Sequence, residues 1–455
     1  MTATDPPTSE IAADAGGNRP VIVVGAGLAG LVCAVALHQA GRRVVVLEAA
    51  DGVGGRVRSD LHPEGFVLDR GFQILLDAYP AARRWIDHPA LRPMAFDRGA
   101  HVWSGKRLLP LADPFRHPAN VLRDLTSPVF PLADKLRLAR LAAMVLRKEW
   151  QSAAEARAES GDVSAAEMLW GQGFTPSFVD RFARPFWGGV LLDPSLSAAA
   201  GPLLFTLRMF LIGRAVLPAE GVGMMPAHLV LRLPPGAVRL RTNVERLIRE
   251  DGEVVGVVAG GETLAASAVV VATDPPTARR LTGDERVPGA EDGLGCLTVF
   301  LAGDRDPGVG PRLILDGTRR SVINHLAPLS AAQPSYAPPG QHLLAAVIVG
   351  NALARDDDDL ARTARREAAE MLGQAAEAWR VLAIRRVPFS QFAQPPGGAA
   401  ALPSEALADA GFYLASEATV DSSYNGAILG GEAAARAVLR DLARKGRQRV
   451  RTTEA

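Results

Sequence analysis

Apolar positions near the start of the chain fall into two short runs separated by a helical pattern. The first run is Val21-Ile22-Val23-Val24, and the second is Val44-Val45-Val46-Leu47. Short, continuous runs rich in valine are typical of strands buried on both faces of a parallel sheet. Between them, glycine-rich residues 25–30 lead into an apolar segment that ends at Gly41. The pattern predicts a strand–helix–strand unit and an α/β fold.

The turn Gly25-Ala26-Gly27-Leu28-Ala29-Gly30 has the G-x-G-x-x-G spacing of a dinucleotide site. In this reading Gly25 permits the tight turn, Gly27 lets the backbone approach a pyrophosphate, and Gly30 lets helix and strand pack closely. The helix N-terminus offers free N–H groups to the phosphates. Glu48 ends the second run and can accept hydrogen bonds from ribose hydroxyls. The alternative is a glycine-rich turn without a ligand, but strand, glycines, helix, strand and acid all occur in the required order.

A second glycine element, residues 52–59, follows Glu48 almost at once and contains Gly54-Gly55-Arg56. Arg56 offers a forked, permanently charged donor for phosphates, although a solvated pair with Arg58 is the plainer interpretation. Together the two glycine elements resemble the superfamily of flavin-dependent amine oxidases, phytoene desaturases and protoporphyrinogen oxidases. The resemblance implies that FAD is bound, that Gly54-Gly55-Arg56 contacts its pyrophosphate, and that residues 65–73 pass the flavin ring.

The C-terminal part of the chain is similar to the same superfamily. Residues 411–417 are predicted to form a strand ending on Glu417, and residues 422–427 open an alanine-rich helix to about Arg444. The resemblance implies that Glu417 bonds the ribityl chain, that the Gly426 and Ala427 amides face the flavin edge, and that a backbone group of Val244 holds adenine. A helix N-terminus there would stabilise the anionic reduced flavin by roughly 0.3–2 kcal/mol.

These motifs define the predicted cofactor site. Its residues are Gly25, Gly27, Leu28, Ala29, Gly30, Glu48, Ala49, Gly54, Gly55, Arg56, Gly71, Phe72, Gln73, Val244, Glu417, Asn425, Gly426 and Ala427. Only Cys33 and Cys296 are present, and neither is near the C-terminal flavin motif in sequence. We therefore expect non-covalent FAD. No C-x-x-C pair is present, and we predict no metal site; the acidic run 356–359 is interpreted as the first turn of a helix.

Three separated pieces carry the cofactor-domain signals, and the fold prediction follows from them. We expect a Rossmann-type FAD-binding domain from residues 19–76, 219–288 and 410–445, interleaved with an α+β substrate domain from residues 77–218 and 289–409. Predicted elements of the substrate domain include helices over residues 134–150 and 360–376. Residues 1–18 are predicted to be disordered and residues 446–455 to form a flexible tail.

Composition limits the kinds of partner that the protein is expected to bind. The chain has 455 residues, 48% of them hydrophobic, and a net charge of +1, so nothing indicates a nucleic-acid partner. The scarcity of lysine relative to arginine suggests a bacterial, GC-rich genome. The absence of a signal peptide or a long apolar run favours the cytoplasm. The basic helix near residues 135–148 is either a solvated face or a peripheral contact with the inner membrane surface.

The reaction is predicted from what the chain lacks. No second nucleotide site is visible, so the electrons are expected to come from an organic substrate, with O₂ or a quinone as the candidate acceptor. Many amine oxidases of the superfamily use a lysine near the flavin, but no lysine lies between Lys148 and Lys445. The apolar segment 203–212 could line a lipophilic pocket or be ordinary helix core, and His325 could face the flavin or be a core histidine.

We therefore predict desaturase-like dehydrogenation of a hydrophobic small molecule by hydride transfer to flavin N5, with no catalytic side chain assigned beyond the flavin. The alternatives are a flavin amine oxidase, a flavin-dependent isomerase, and a non-redox binding protein like the prenyl-GTPase escort proteins that share the fold.

Overall fold

The computed structural model describes residues 19–112, 127–404, 406–407 and 412–453. The predicted disordered segment 1–18 and Gly411 lie outside this range. The described strands are β1 (Val21–Val24), β2 (Val44–Leu47), β3 (Ser59–Leu61), β4 (Val67–Asp69), β5 (Leu75–Leu76), β6 (Met94–Ala95), β7 (Gly99–Trp103), β8 (Leu108–Ala112), β9 (Ala215–Leu217), β10 (Val238–Arg239), β11 (Val244–Glu250), β12 (Glu253–Ala259), β13 (Glu262–Ala265), β14 (Ala268–Val271), β15 (Gly293–Gly303), β16 (Leu313–Asp316), β17 (His325–Pro328), β18 (His342–Val349), β19 (Arg380–Phe392), β20 (Ala406–Leu407) and β21 (Phe412–Leu414).

The α-helices vary from single turns to a long C-terminal helix. They are α1 (Leu28–Gln39), α2 (Pro80–Trp85), α3 (Leu132–Leu146), α4 (Ala153–Ser160), α5 (Ala165–Gly171), α6 (Pro176–Phe178), α7 (Arg184–Val190), α8 (Ala200–Ile212), α9 (Met224–Val230), α10 (Pro275–Thr282), α11 (Leu329–Ala332), α12 (Asp357–Leu372), α13 (Gln374–Glu377) and α14 (Tyr424–Thr453).

The two apolar runs at the start of the chain form neighbouring strands of a parallel sheet, as predicted. The strand order is β10-β2-β1-β14-β21-β20, and only the pairing of β20 with β21 is antiparallel. All residues of β1, β2 and β14 are buried, which explains why their sequences do not alternate. From β1 the chain continues to β2 on one side, whereas β14 lies on the other side. In α/β sheets, ligands bind at the carboxyl ends of the strands, at the point where the strand order reverses in this way.

Three distant segments of the chain build this sheet. Strands β1 and β2 come from the first predicted cofactor piece, β10 and β14 from the second, and β21 from the third. Helix α1 is apolar on every side because it packs between the sheet and α14. A Cβ atom on Gly431 of α14 would lie 2.4 Å from the carbonyl oxygen of Ala29, so glycine permits this close approach. The interleaved arrangement agrees with the expected fold, while the domain limits stay a prediction.

The two remaining pieces share a second, mainly antiparallel sheet. Its order is β19-β15-β18-β17-β16-β7-β8, so β7 and β8 from the first substrate piece join five strands from the second. Helices α2 to α8 come from the first piece, and α12 packs on β15 and β19. Asp356 caps α12 by accepting hydrogen bonds from the N–H groups of Asp358 and Asp359. The acidic run therefore begins a helix.

Several predicted bounds were wrong. Helix α3 begins after Pro131 and ends at Leu146, whereas residues 134–150 were expected. Its start is set by Pro131, because proline suits the start of a helix but not its interior. The last helix continues to Thr453 instead of ending near Arg444, so the backbone is helical over most of the expected tail 446–455. Strand β21 ends at Leu414, and Glu417 opens a short 3₁₀ turn beyond it.

Candidate cofactor and substrate site

A single long cavity of about 830 Å³ begins at the carboxyl ends of β1, β2 and β14 and continues into the second half of the molecule. Its volume lies toward the upper end of the roughly 300–1,000 Å³ found for ligand sites. Most of the predicted cofactor residues line it, the exceptions being Gly30, Asn425 and Gly426. Other lining residues at the same end were not predicted, since they follow β10 and β14 without a recognisable motif; they include Thr242, Asn243, Thr273, Asp274 and Arg280.

The three glycines of the first turn have different surroundings. A Cβ on Gly25 would lie 2.6 Å from the carbonyl oxygen of Ala272, and one on Gly30 would lie 2.2 Å from that of Gly25. Both glycines are therefore required by contacts within the protein. A Cβ on Gly27 would meet no protein atom within 4 Å. Gly27 borders the cavity, so its missing side chain leaves room for a ligand.

The second glycine element faces the first across this space. The N–H of Gly54 donates to the carbonyl oxygen of Ala26 (2.8 Å). A Cβ on Gly55 would lie 3.8 Å from the Cα atom of Gly27, so two side-chain-free backbones meet at this point. Such a pair of turns forms a narrow slot suited to a group that must approach the backbone, as a pyrophosphate does.

Glu48 joins the ends of the first two strands. Its carboxylate accepts hydrogen bonds from the N–H groups of Ala26 (2.7 Å) and Ala50 (2.8 Å), one to each oxygen. Each carboxylate oxygen has a second lone pair. Glu48 can therefore accept hydrogen bonds from ribose hydroxyls while the protein fixes its orientation.

Arg56 and Glu417 form an ion pair that joins the two ends of the chain. One terminal nitrogen of Arg56 donates to the Glu417 carboxylate, and the other donates to the carbonyl oxygen of Ser390 (2.9 Å). The Glu417 side chain is only 7% exposed, so its charge depends on this partner. Both side chains line the cavity. Neighbouring donors of the guanidinium group remain for a second acceptor, since Arg has five N–H donors.

The segment predicted to pass the flavin ring is tied to both halves of the molecule. The side-chain amide of Gln73 donates to the carbonyl oxygens of Arg56 (2.9 Å) and Arg70 (3.1 Å), and its oxygen accepts from the Tyr424 hydroxyl. The N–H of Phe72 donates to the Thr298 hydroxyl on β15 (3.1 Å). The sequence did not indicate Tyr424 or Thr298, because each is remote from the segment along the chain.

Asp69 holds the same segment in place through a network of hydrogen bonds. Its buried carboxylate accepts from the hydroxyls of Ser59 (2.5 Å) and Tyr336 (2.7 Å) and from the N–H of Val222 (3.0 Å). Burial raises the pKa of Asp69 to about 6. The network holds residues 69–73 against the loop that precedes α9.

Asn425 and Gly426, two of the predicted cofactor residues, do not line the cavity. Asn425 is fully buried, and its side chain bridges the N–H of Ala81 (2.9 Å) and the carbonyl oxygen of Gln151 (2.7 Å). A Cβ on Gly426 would lie 2.0 Å from the carbonyl oxygen of Asp421, so this glycine permits close packing. Its N–H donates to the Ser423 hydroxyl (2.9 Å).

Ala427 lines the cavity, but its N–H is also used within the helix start, where it donates to the carbonyl oxygen of Ser423 (2.9 Å). Asp421, another buried carboxylate that lines the cavity, accepts from the N–H of Ala153 (3.0 Å) and from the Ser423 hydroxyl. Burial raises the pKa of Asp421. The expected flavin-edge amides at Gly426 and Ala427 are therefore satisfied inside the protein.

The far end of the cavity has an aromatic and aliphatic wall. It is formed by Phe72, Phe186, Phe205, Phe210, Leu313, Leu315 and His325. Rings Phe186 and Phe210 lie 5.2 Å apart, as do Phe72 and His325. Leu203, Leu204 and Met209 of α8 are buried in the core instead. The two interpretations of segment 203–212 therefore apply to different faces of one helix.

Residues 28–439 match the family of flavin containing amine oxidoreductases, so the chain belongs to that family and is an FAD-dependent oxidoreductase. Over 94% of this chain and 81% of the relative, it is 24% identical to the 15-cis-phytoene desaturase of Glycine max. A segment that makes up 13% of this chain is 53% identical to lysine-specific histone demethylase 1B of Mus musculus. The match covers 7% of the length of that protein.

The fold also matches solved structures. Wild-type putrescine oxidase bound to putrescine superposes with a TM-score of 0.69 at 17% identity, covering 94% of this chain and 99% of the other. An oxidoreductase from Methanosarcina mazei superposes with a TM-score of 0.70 at 18% identity, covering 91% and 99%. Both confirm the predicted fold class. Family membership sets aside the non-redox escort protein.

The cavity fits FAD. The facing glycine turns can admit the pyrophosphate, Glu48 can accept from the adenosine ribose, and the ion pair of Arg56 and Glu417 lines the same cavity. We propose that these residues, with Gln73, hold the cofactor. Their assignment stays a proposal.

We predict that the FAD is not covalently attached. Acid precipitation of the holoprotein should release the whole flavin into the supernatant, measured by its absorbance. Cys296 is the candidate for a covalent bond to the flavin, because it lines the cavity and contacts the Ser390 hydroxyl (3.3 Å), whereas Cys33 is buried in α1. Flavin retained by the precipitated chain would contradict the prediction. If the Cys296→Ser variant then released its flavin, Cys296 would be identified as the point of attachment.

Proposed function

We propose that this flavoenzyme dehydrogenates a neutral, lipophilic small molecule and forms a carbon–carbon double bond. FAD, when bound, would supply the acceptor for a hydride, which carries both electrons, while the second hydrogen of the substrate leaves as a proton. The protein's contribution is then to bind the substrate, exclude water and hold the reacting carbon against the cofactor. The observation that supports this proposal most strongly is the aromatic wall defined above.

The wall suits an uncharged ligand. Its side chains are apolar apart from His325, and burial lowers the pKa of His325 to about 4, so the imidazole is neutral at ordinary pH. The carboxylates of Glu48, Glu417 and Asp421 line other parts of the cavity, and none of them belongs to this wall. None of the four lysines lines the cavity in the described part of the chain. An alkylammonium substrate at the wall would therefore lack both a counter-ion among the wall residues and the lysine found in many amine oxidases.

The wall is also rigid. Phe186 of the wall ends a run of four phenylalanines spaced four residues apart, Phe174, Phe178, Phe182 and Phe186. Their rings contact in succession at centroid distances of 4.2, 5.6 and 5.4 Å; the first and last pairs are stacked and the middle pair is tilted. The run passes through a π-helical turn at Val179–Ala183, a feature often found near functional sites. Stacked rings lose little freedom on binding, so they can present a fixed apolar surface to a lipophile.

Anaerobic bleaching of the flavin tests the reaction. We expect a polyene or a hydrogenated cyclic precursor to bleach the 450 nm band and to gain a double bond, detected by mass spectrometry as a loss of two hydrogens. Primary and secondary amines should leave the spectrum unchanged. The acceptor that restores the band in single-turnover experiments should be O₂ or a quinone.

Rapid bleaching by a simple amine, with an aldehyde or imine as product, would reverse the proposal in favour of the flavin amine oxidase. A substrate that is converted without any net bleaching or loss of hydrogen would favour the isomerase instead. The phytoene desaturase relative supports the expected dehydrogenation, and the putrescine oxidase neighbour is the reason for including amines in the test.

A peripheral contact with a lipid surface stays a prediction. Helix α3 exposes Leu132, Leu136 and Leu146 beside Arg140 and Arg147, a combination typical of helices that lie at a membrane interface. No helix among the described residues is long and apolar enough to cross a membrane.

A further inference from the structure

Leu192 has an uncommon backbone conformation for a leucine. Its φ is 54°, in the left-handed region where the backbone crowds a Cβ atom. Helix α7 is capped by Leu191, so Leu192 is the first residue beyond the cap, a position that glycine usually occupies for this reason. The described non-glycine residues with positive φ are Arg92, Leu192, Leu196, Arg241, Asp251 and Arg319. Of these, only Leu192 lines the cavity.

Hydrogen bonds to the next residue fix the loop that follows α7. One oxygen of the Asp193 carboxylate accepts from the N–H of Ser195 (3.0 Å) and from the hydroxyl of the same residue. The other oxygen accepts from the Ser197 hydroxyl (2.9 Å) and from the N–H of Ala198 (2.9 Å). An unfavourable conformation persists only where its surroundings determine it, and this network holds Leu192 at its positive φ.

Helix α7 also contacts this loop. A terminal nitrogen of Arg184, in the first turn of the helix, donates to the carbonyl oxygens of Pro194 (2.8 Å) and Ser195 (2.9 Å). A Cβ atom on Gly188 would lie 2.8 Å from the Cα atom of Pro194, so glycine at this position lets the loop fold back against the helix. Contacts on both sides of Leu192 in the chain therefore set its position.

The side chain of Leu192 packs at the cavity beside the aromatic wall. It belongs to a small apolar cluster whose other members include Cys296, Val347, Val349, Phe72 and Val387. Phe72 is part of the wall, and Cys296 and Val387 also line the cavity. The leucine is 9% exposed, so it retains surface that a ligand can contact. A glycine would leave the space beside Phe72 open, whereas the leucine fills it.

Leu196 has a similar backbone conformation without a contact with the cavity. Its φ is 58°, and its N–H donates to the carbonyl oxygen of Asp193 (3.0 Å) to close a turn. Its side chain is fully buried in the main core and does not line the cavity. The positive φ of Leu196 is thus accompanied by core packing, whereas that of Leu192 places an apolar side chain at the ligand site.

We propose that Leu192 is a specificity-determining residue that limits the width of the substrate site beside Phe72. This inference rests on the proposed function and specifies its substrate class: a flat or unbranched lipophile, since a branched group beside Phe72 would overlap the leucine side chain. Glycine would suit the backbone better but would admit branched molecules. Leu192 takes no part in the transfer of hydride or proton.

A matched pair of ligands tests this limit without requiring turnover. The compounds 2-methylnaphthalene and 2-tert-butylnaphthalene share one flat ring system and differ only in the branching of the substituent. Titration of the FAD-loaded protein with each, followed by the perturbation of the flavin spectrum, gives the two dissociation constants. We expect the methyl compound to bind at least about tenfold more tightly, because a single surplus carbon in a closely fitting apolar pocket can have that effect.

Two variants at position 192 assign the preference to the side chain. Leu192→Ala and Leu192→Gly both remove its branched part, so in each the preference should vanish, and the larger apolar compound should bind at least as tightly as the smaller. Leu196→Ala is the matched control, because it makes the same truncation at a similar φ away from the cavity; it should keep the preference.

The two variants also separate the backbone from the side chain. Glycine adopts a φ of 54° without strain, whereas alanine retains a Cβ atom. We therefore expect Leu192→Gly to unfold at a higher urea concentration than Leu192→Ala, although glycine is ordinarily the less stabilising of the two. The opposite order would mean that the backbone at Leu192 is not strained, and it would overturn the inference.

The inference would also be overturned by a wild-type protein that binds both compounds equally or neither saturably, or by a preference that persists in both Leu192 variants. An equal loss of preference in Leu196→Ala would count against it too, because the effect would then reflect general loosening of the loop. Failure of the desaturation test with an intact preference that depends on Leu192 would instead reject the proposed reaction alone, since the binding measurement involves no chemistry.

Discussion

Gly27→Val should yield a colourless protein. The new side chain would project into the slot between the two glycine turns, where the Cβ meets no protein atom and the Cα of Gly27 approaches Gly55. The backbone at Gly27 has φ −74° and ψ 178°, a conformation that valine adopts without strain. We expect loss of FAD retention, measured as the absorbance ratio at 450 and 280 nm after purification, while the unfolding free energy of the apoprotein changes by less than about 1 kcal/mol.

Two other glycines serve as controls. Gly171→Val changes a glycine that likewise has open space around its Cβ position but lies far from the cavity at the end of α5, so it should retain full flavin. Gly30→Val should instead impair folding, because its Cβ would overlap the carbonyl oxygen of Gly25. A yellow, fully loaded Gly27→Val protein would refute the placement of the pyrophosphate.

Arg56→Ala should weaken both FAD binding and the fold. Removing one charge-assisted hydrogen bond should raise the dissociation constant of FAD by the equivalent of about 1.5–3 kcal/mol. It should also leave the Glu417 carboxylate, 7% exposed, without its cation, lowering the unfolding free energy by a similar amount, about 1.5–3 kcal/mol. Fluorescence titration of the apoprotein with FAD and urea unfolding measure the two effects.

A double-mutant cycle with Glu417→Gln separates these roles. If Arg56 mainly compensates the charge of Glu417, the double variant should recover the stability lost in Arg56→Ala. If Arg56 also binds the cofactor directly, FAD affinity should be lower in the double variant than in Glu417→Gln alone. Unchanged flavin affinity in Arg56→Ala would remove this residue from the cofactor site.

The nucleotide-binding half of the fold could be predicted from the sequence because its determinants are local. The bounds of β1, α1 and β2 follow from continuous apolar runs and a fixed glycine spacing, and each agrees with the structure. Glu48 needs only its position at the end of β2 to reach the turn after β1. Short-range backbone geometry therefore placed one end of the cavity.

The C-terminal end of the site was predicted less well. Similarity of pattern brought Glu417 and Ala427 to the cavity, yet it could not show that Asn425 points away to bridge Ala81 and Gln151. A residue at the start of a helix can face either a ligand or a neighbouring element, and the choice depends on packing partners far along the chain. Here Asn425 faces α2 and the segment before α4.

The sequence by itself determined the strand–helix–strand unit, the paired glycine turns and the class of cofactor, since each depends on residues close together in the chain. Only the tertiary structure decided which side chains meet: Arg56 with Glu417, Gln73 with Tyr424, and Phe72 with His325. These partners are separated by more than 200 residues, and no local pattern encodes their contact. The aromatic wall exists only because α7, α8, β16 and β17 pack together, which is why the sequence alone could not reveal it.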